Sequence, residues 1–444
     1  MMLNCKNKDK TALIEDRGNT CTYGELKEYV RSFKKINNIK EKSLVFILCE
    51  NNINSIKKYI ACIENNIVPL LLDSKIESSL LKKLLEIYEP NYIFYPDDSI
   101  EKTSDKNHLL NDSLSLLLTT SGSMGSPKLV RLSYENIKTN ADAIISYLEI
   151  SENERAITTL PMNYTYGLSI INTHLIAGAT ILLTSKSIMQ KEFYQFFREE
   201  KATSFGGVPY TYEVLKRLHF FNMELSSLRY FTQAGGKLSK NLHKEFAEYA
   251  LKEKKKFIVM YGQTEATARM SYLPYNMAIK KIGSIGIAIP GGKFELKNKN
   301  VRGEGELIFK GKNVSLGYAE DIRDLKKGDE RKGVLETGDI AKVDSDGFYY
   351  IIGRKKRFLK LFGNRINLDE VETLIKSKFN IECAVSGEDD KMKLYIIDKT
   401  KKAPLKDFVS KMTGIHFSAF EIIVVLEIPK NEAGKILYKE LSNE

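Results

Sequence analysis

LSLLLTTSGSMGSPKLVR, residues 114–131, joins a structural signal to a chemical one. An apolar strand over 115–119 runs into a loop of glycines and hydroxyl residues: Thr120, Ser121, Gly122, Ser123, Met124, Gly125, Ser126 and Pro127, closed by Lys128. Beyond it, Ser133 is placed to cap a helix whose Ile137, Ala141, Ile144, Ile145 and Leu148 share one face. A loop of this kind after a strand can turn backbone N–H groups and Oγ atoms toward phosphate oxygens, while the lysine supplies charge. It is not the GxxxxGK[ST] loop of P-loop NTPases, because Leu129 follows Lys128 and the glycines are spaced differently. Taken alone, the loop also reads as a flexible turn.

Outward from this stretch the chain alternates apolar runs with amphipathic ones. Residues 43–49 (SLVFILC) and 67–72 (IVPLLL) read as buried strands, with a helix over 53–64 between them, which makes a βαβ unit. The cadence recurs around 92–95, 179–184 and 257–260. It predicts an α/β fold of stacked, mainly parallel sheets covered by helices. From Lys281 the texture changes to short strands punctuated by glycine, a β-rich subdomain. After Arg354 comes a basic crossing, RKKRFLK, and then a separate strand and helix pattern. The expected division is therefore a large domain over 1–354 and a small, mobile α+β domain over 355–444.

Composition excludes several classes. At 444 residues, 43% hydrophobic and 28% charged, the chain has material for more than one core and no signature of disorder. The formal charge of +11 comes from lysines spread along the sequence, not from a patch suited to nucleic acid or anionic lipid. The basic run 354–360 lacks the interleaved aromatics of a nucleic-acid surface. No apolar run approaches a membrane span and the first ten residues are polar, so the expected location is cytoplasmic. Five cysteines show no CxxC or metal-ligand spacing and are expected as reduced, partly buried thiols. The five histidines show no zinc motif.

Thr120 to Lys128 fit the phosphate loop [ST]SG[ST][ST]GxPK except at Met124. In order along the chain follow Tyr261-Gly262-Gln263-Thr264-Glu265, Thr337-Gly338-Asp339, Gly353-Arg354, Lys360 to Ile366 (KLFGNRI) and Asn431 to Lys435 (NEAGK), with Thr22 to Leu26 (TYGEL) near the start. With these motifs the chain resembles the adenylate-forming superfamily of acyl-CoA synthetases, luciferases and peptide-synthetase adenylation domains, from about residue 10 to 440. The resemblance implies activation of a small carboxylic acid with ATP and Mg²⁺ to an acyl-adenylate. Acyl transfer to the thiol of coenzyme A, or of phosphopantetheine on an acyl carrier protein, then follows.

It also implies roles. Thr120, Ser121, Gly122, Ser123, Gly125 and Lys128 would hold phosphates, and Thr264 and Glu265 would contact phosphate and Mg²⁺. Tyr261, Gly262 and Gln263 would line the nucleotide, with Tyr261 near the adenine and Gly235 and Gly236 on the opposite wall. Asp339 and Arg354 would hydrogen-bond the ribose. Lys435 would bridge the acid and the α-phosphate, Lys356 would be the hinge, and Lys360 and Gly363 would serve the second half-reaction. Tyr164 falls where amino-acid-activating relatives carry an Asp, which argues against an ordinary α-amino acid because a neutral phenol cannot pair with an ammonium. Tyr166 and Arg269 are candidates for the acyl pocket, as are Tyr210 and Tyr212, with core packing or, for Arg269, the surface as the other reading. Alternatives in function are an amino-acid-activating carrier-protein ligase, an ADP-forming ligase, and a binding protein with a degenerate site.

Overall fold

The computed structural model describes residues 2–3, 5–119, 128–361, 364–413, 416–430 and 436–441. The chain forms two compact units: residues 1–294 with 309–335, and residues 295–308 with 336–444.

Two large mixed sheets make the first unit. One has seven strands in the order Gly317–Ala319, Leu129–Ser133, Leu114–Thr119, Val68–Asp73, Leu44–Cys49, Tyr92–Phe94 and Ile100–Lys102. All six residues of Leu44–Cys49 are buried, as a strand covered on both faces requires. Its side chains alternate: Val45, Ile47 and Cys49 join one core, Leu44, Phe46 and Leu48 another. The helix Ile53–Glu64 makes the expected crossover, its first turn capped by the Asn52 side chain, which accepts from Ser55 N. The other sheet has nine strands: Ile287–Ala288, Ser271–Tyr272, Lys256–Tyr261, Tyr230–Gln233, Ser204–Gly207, Arg155–Ile157, Thr180–Leu183, Thr11–Glu15 and Thr20–Thr22. Its central strands are parallel, so their C-terminal ends, with Gln233 and Tyr261, open toward the same edge.

The phosphate-loop segment differs from its expected setting. Leu129–Ser133 is a strand, antiparallel to Leu114–Thr119 with Thr119 opposite Leu129, so residues 120–127 connect two strands and not a strand to a helix. LVRLS is buried along its whole length and pairs on its other side with Gly317–Ala319, which fixes it as sheet. Ser133 still caps the helix Tyr134–Leu148, exchanging hydrogen bonds with Asn136 in a capping box. The amides of that helix start a full strand beyond the loop, so the helix N-terminus is not part of it.

The second unit holds most of a four-stranded sheet, ordered Lys293–Lys297, Gly305–Lys310, Val334–Val343 and Tyr349–Arg354. Next come a hairpin, Phe358–Leu361 with Asn364–Asn367, and a three-stranded sheet of Cys383–Glu388, Lys391–Ile396 and Phe420–Val424. Helices Leu368–Phe379 and Lys402–Thr413 pack Val371, Ile375, Leu405 and Val409 onto the apolar face of that sheet. Arg357 anchors the hairpin: its guanidinium pairs with Glu372 at 2.6 Å and Asp369 at 2.8 Å and lies on the Tyr438 ring. All five cysteines are buried and unpaired, a deeper burial than expected. Among the described residues no helix is long and apolar enough to cross a membrane.

Candidate active site

Strand Lys256–Tyr261 delivers its last residue to the open edge of the nine-stranded sheet, and the chain then doubles back on itself. A Cβ at Gly262 would lie 1.7 Å from Ala268 O, so only glycine admits the returning segment. A 3-10 turn spans Thr264–Ala266, and Thr267 follows at φ 67° and ψ −49°, the middle of a γ-turn closed by Ala268 N donating to Ala266 O at 2.7 Å. A positive φ on a β-branched residue costs roughly 1–3 kcal/mol. Buried hydrogen bonds hold it: Thr267 Oγ1 donates to Asn313 O at 2.7 Å, and Asn313 Nδ2 donates to Ala266 O at 2.9 Å and Arg269 O at 3.0 Å. Asn140 Nδ2 donates to Arg269 O at 2.8 Å, and Thr165 Oγ1 donates to Thr267 O. The reversal sends Glu265 and Arg269, four residues apart, to different partners.

Glu265 meets Tyr318. The tyrosine hydroxyl donates to Glu265 Oε1 at 2.8 Å, and Lys128 Nζ stands 3.9 Å from the centre of the same ring. Arg131, wholly buried, fixes the backbone beneath by donating Nε to Tyr318 O at 3.0 Å. Burial, with the Glu265 charge adding to it, pushes the Tyr318 hydroxyl up to about 12, so it stays a neutral donor at any working pH. The end of the phosphate-loop motif and the acidic motif thus converge on one ring. No lysine or arginine ion-pairs with Glu265 among the described residues, nor is any group of three or more His, Cys, Asp or Glu arranged to hold a metal ion. One carboxylate without such a partner, next in sequence to Thr264, fits Mg²⁺, which takes most of its ligands from phosphate and water.

Arg269 points the other way, into the unit. It is 3% exposed, which settles its location away from the surface, and its guanidinium lies 3.9 Å over the Tyr166 ring. Tyr166 is itself buried and donates to Thr232 O at 2.8 Å, three residues before Gly235. Gly235 has φ 84°, and a Cβ there would come within 2.6 Å of the Tyr164 hydroxyl; one on Gly236 would press Pro209 at 3.0 Å. Tyr164 and the diglycine therefore form one wall, a close approach that needs the missing side chains. Tyr212 is core, its hydroxyl donating to Thr232 O at 2.7 Å, and Tyr210 is exposed.

In the second unit Asp339 sits opposite Arg354 across an antiparallel strand pair, with Arg354 Nε 3.5 Å from Asp339 Oδ1. The carboxylate is buried and the guanidinium exposed. Asp339 lies inside the strand Val334–Val343, just after Gly338 at φ 73°, so it is not merely a turn residue.

The sequence pattern of the family described as AMP-binding enzyme matches residues 96–319, half of the chain. The chain belongs to that family. It is 27% identical over 403 residues to the probable CoA ligase CCL5 of Humulus lupulus, covering 85% of this chain and 71% of that one. To the peroxisomal OPC-8:0-CoA ligase 1 of Arabidopsis thaliana it is 28% identical over 361 residues, 76% of this chain and 65% of the relative. The o-succinylbenzoate CoA synthetase of Bacillus subtilis, solved with its acyl-adenylate intermediate, shares the fold. Its TM-score is 0.82 at 21% identity, covering 98% of this chain and 96% of that one.

As an AMP-binding enzyme the chain brings Lys128, Thr264 and Glu265 together in one place and Tyr164, Tyr166, Gly235, Gly236 and Arg269 in another within the same unit. Tyr261 and Gln263 meet each other, with Gln263 Nε2 3.5 Å from the Tyr261 hydroxyl. Thr120, Ser121, Gly122, Ser123, Gly125, Gly363 and Lys435 lie outside the described residues, as do the side chains of Lys356 and Lys360. Three contributors escape the sequence reading: Tyr318, Asn313 and Asn140. Tyr318 and Asn313 sit in GKNVSLGY, whose glycines mark turns and whose other residues read as ordinary strand.

Proposed function

We propose that this protein activates a small carboxylic acid with ATP, releasing pyrophosphate, and transfers the acyl group from the adenylate to the thiol of coenzyme A. One observation carries the reading: a cation, Lys128, stands over the ring of Tyr318 while Glu265, a carboxylate that pairs with no lysine or arginine among the described residues, accepts from its hydroxyl. A site that must gather a nucleotide's phosphates and Mg²⁺ needs both signs of charge held close; here Lys128 also stands 3.6 Å from Glu320 Oε1. Bound at Glu265, Mg²⁺ would supply positive charge for the phosphates.

In this reading Lys128 and the loop before it bind phosphate, Thr264 orients it, and Tyr318 keeps the Glu265 carboxylate aimed. Tyr261, Gly262 and Gln263 line the base with Gly235 and Gly236 opposite, while Asp339 accepts from the ribose hydroxyls and Arg354 holds Asp339 in place. Tyr164 and Tyr166 flank the acid. Lys435 bridges the acid carboxylate and the α-phosphate, so that the two anions meet with their repulsion screened. Residues 1–354 act as the binding domain and 355–444 as the mobile one, turning at Lys356 to bring Lys360 and Gly363 to the thiol step. A cytoplasmic location is part of the proposal, supported by five unpaired cysteines, the state a reducing compartment maintains.

Acid-dependent exchange of labelled pyrophosphate into ATP tests the first step, and product analysis with coenzyme A or a holo carrier protein tests the second. AMP and an acyl-CoA are expected. ADP as product would sink the reading, and acyl transfer to the carrier protein alone would replace coenzyme A as the acceptor.

A further inference from the structure

A buried guanidinium is among the costliest side chains to leave without a partner. Arg269 is 97% inaccessible, yet among the described residues no carboxylate pairs with it and its Nε has no hydrogen-bond partner. Its one hydrogen bond, from Nη1 to Ala268 O at 3.3 Å, is long, and the Tyr166 face offers only its quadrupole. The group borders a small cavity of about 20 Å³, room for about one water, between the helices Tyr134–Leu148 and Thr165–Ile176 and the strands Ser204–Gly207 and Tyr230–Gln233.

Most of that cavity is apolar, lined by Ile144, Leu148, Ile170, Phe205 and Met260. The polar groups that line it, His174 among them with Ser169, Thr173, Ser204, Tyr230 and Thr232, bring no negative charge. His174 Nδ1 donates to Ile170 O at 2.8 Å, which leaves Nε2 to accept from the Tyr230 hydroxyl at 3.2 Å. The protein therefore holds one strong, unmatched cation at the edge of a mostly apolar space. Tyr166 lies beneath that cation and touches the Tyr164 ring, 6.4 Å away, which ties the cavity to the wall formed with Gly235.

We propose that Arg269 is a specificity-determining residue: the acid activated here carries a second anionic group, a carboxylate at its far end, which pairs with the Arg269 guanidinium. This rests on the acid-activating reading above and names the substrate class of that same site. A dianionic acid would complete the hydrogen bonding that the fold leaves open at Nε. An acid ending in a methyl group would leave the guanidinium buried and unpaired in the complex, and an amino acid would set an ammonium against it. Sites built around a buried polar group reject analogues that cannot satisfy it far more strongly than apolar pockets reject a missing methylene.

Matched acids of three to eight carbons, and aryl acids of similar length, each ending in methyl or in carboxylate, test the proposal with the full chain. Two readouts are taken: kcat/KM in pyrophosphate exchange, and binding of the acid by calorimetry. Wild type should prefer the carboxylate-ended member of at least one pair by on the order of 100-fold in both readouts. Arg269→Met should lose that preference and turn it toward the methyl-ended member, while Arg269→Lys, which keeps the charge, should retain part of it. If Arg269→Met fails to fold, the wild-type preference and Arg269→Lys still decide. Equal use of both members by wild type, a ratio that Arg269→Met leaves unchanged, or no binding of any carboxylate-ended acid overturns the inference. Arg269-dependent binding without any exchange supports the pairing and overturns the activity reading instead.

Discussion

The Tyr318 hydroxyl donates to Glu265 Oε1 at 2.8 Å across 53 residues of sequence. The strand Gly317–Ala319 pairs with Leu129–Ser133, so the sheet that Lys128 leads into also carries the residue that aims Glu265. A carboxylate held by a neutral donor keeps its full charge for a metal, whereas one held by lysine would not. Tyr318→Phe removes the donor and little volume. The Mg²⁺ concentration giving half-maximal pyrophosphate exchange should rise several-fold and exchange at saturating Mg²⁺ should fall about tenfold, for a stability loss of about 1 kcal/mol. An unchanged Mg²⁺ titration would show that the hydroxyl does not serve Glu265.

Asn313→Ala strikes the reversal at Thr267. The side chain gives one amide to two buried carbonyls, Ala266 O and Arg269 O, and both would be left without that donor. With the strained φ no longer held on that side, a loss of about 3 kcal/mol in unfolding free energy is expected. Exchange should fall with it, since Glu265 and Arg269 both depend on the turn. Denaturant unfolding and exchange are measured together. A stable variant with normal exchange would mean that Asn140, Thr165 and Thr267 hold the turn alone.

His174 is buried and uncharged, its pKa lowered to about 4 from the usual 6.5 by desolvation. Arg269 borders the same cavity, and the Tyr230 hydroxyl already donates to Nε2, so a second proton is doubly unwelcome. The unfolded chain takes up this proton near pH 6.5 and the folded chain only near 4. Stability from this group is therefore complete above about pH 6.5 and is lost as pH falls toward 4. The slope is at most about 1.4 kcal/mol per pH unit, about 3 kcal/mol in all. Urea unfolding between pH 4.5 and 7.5 should show one proton fewer in this slope for His174→Gln than for wild type. An identical slope would mean that His174 does not carry it.

Why some of this was legible in sequence and some was not follows from distance along the chain. The helix Ile53–Glu64 and the strands on either side are written in local periodicity and an Asn cap, and their bounds agree with expectation to within a residue. The strand Leu129–Ser133 was not legible, because five residues after a glycine-rich loop look like a helix approach until a partner 187 residues on, Tyr318 O, is found for the Arg131 side chain and the strand itself pairs with Gly317–Ala319. Arg269 gives no local sign of burial, since its setting comes from helix Thr165–Ile176 and from Asn140. Motifs named the segments; only the tertiary structure joins Tyr318 to Glu265.

Lys435→Ala tests the first half-reaction by itself. In the proposed function it acts by charge at the reacting centre, so exchange should fall by at least 100-fold while the unfolding transition is unmoved. Exchange within a few-fold of wild type would remove Lys435 from the proposal.

The last prediction concerns the turn between the two half-reactions. Residues 355–357 form a single 3-10 turn between the strands Tyr349–Arg354 and Phe358–Leu361, a short segment flanked by extended chain on both sides. In the proposed function Lys435 and Lys360 serve successive steps and the thiol attacks where pyrophosphate has just left, which calls for one small domain presenting two faces in turn. Such a pivot depends on backbone torsion and not on the side chain it carries. Lys356→Ala should therefore be almost silent. Lys356→Pro fixes φ at 356 near −65°, removes its N–H and drives Lys355 toward extended torsions, so the turn loses its freedom even though a 3-10 φ is itself acceptable to proline. Single-turnover measurements should find acyl-adenylate formation slowed only a few-fold in the proline variant and thioester formation slowed 100-fold or more. Equal slowing of the two steps, or thioester transfer at the wild-type rate, would mean that the pivot lies elsewhere.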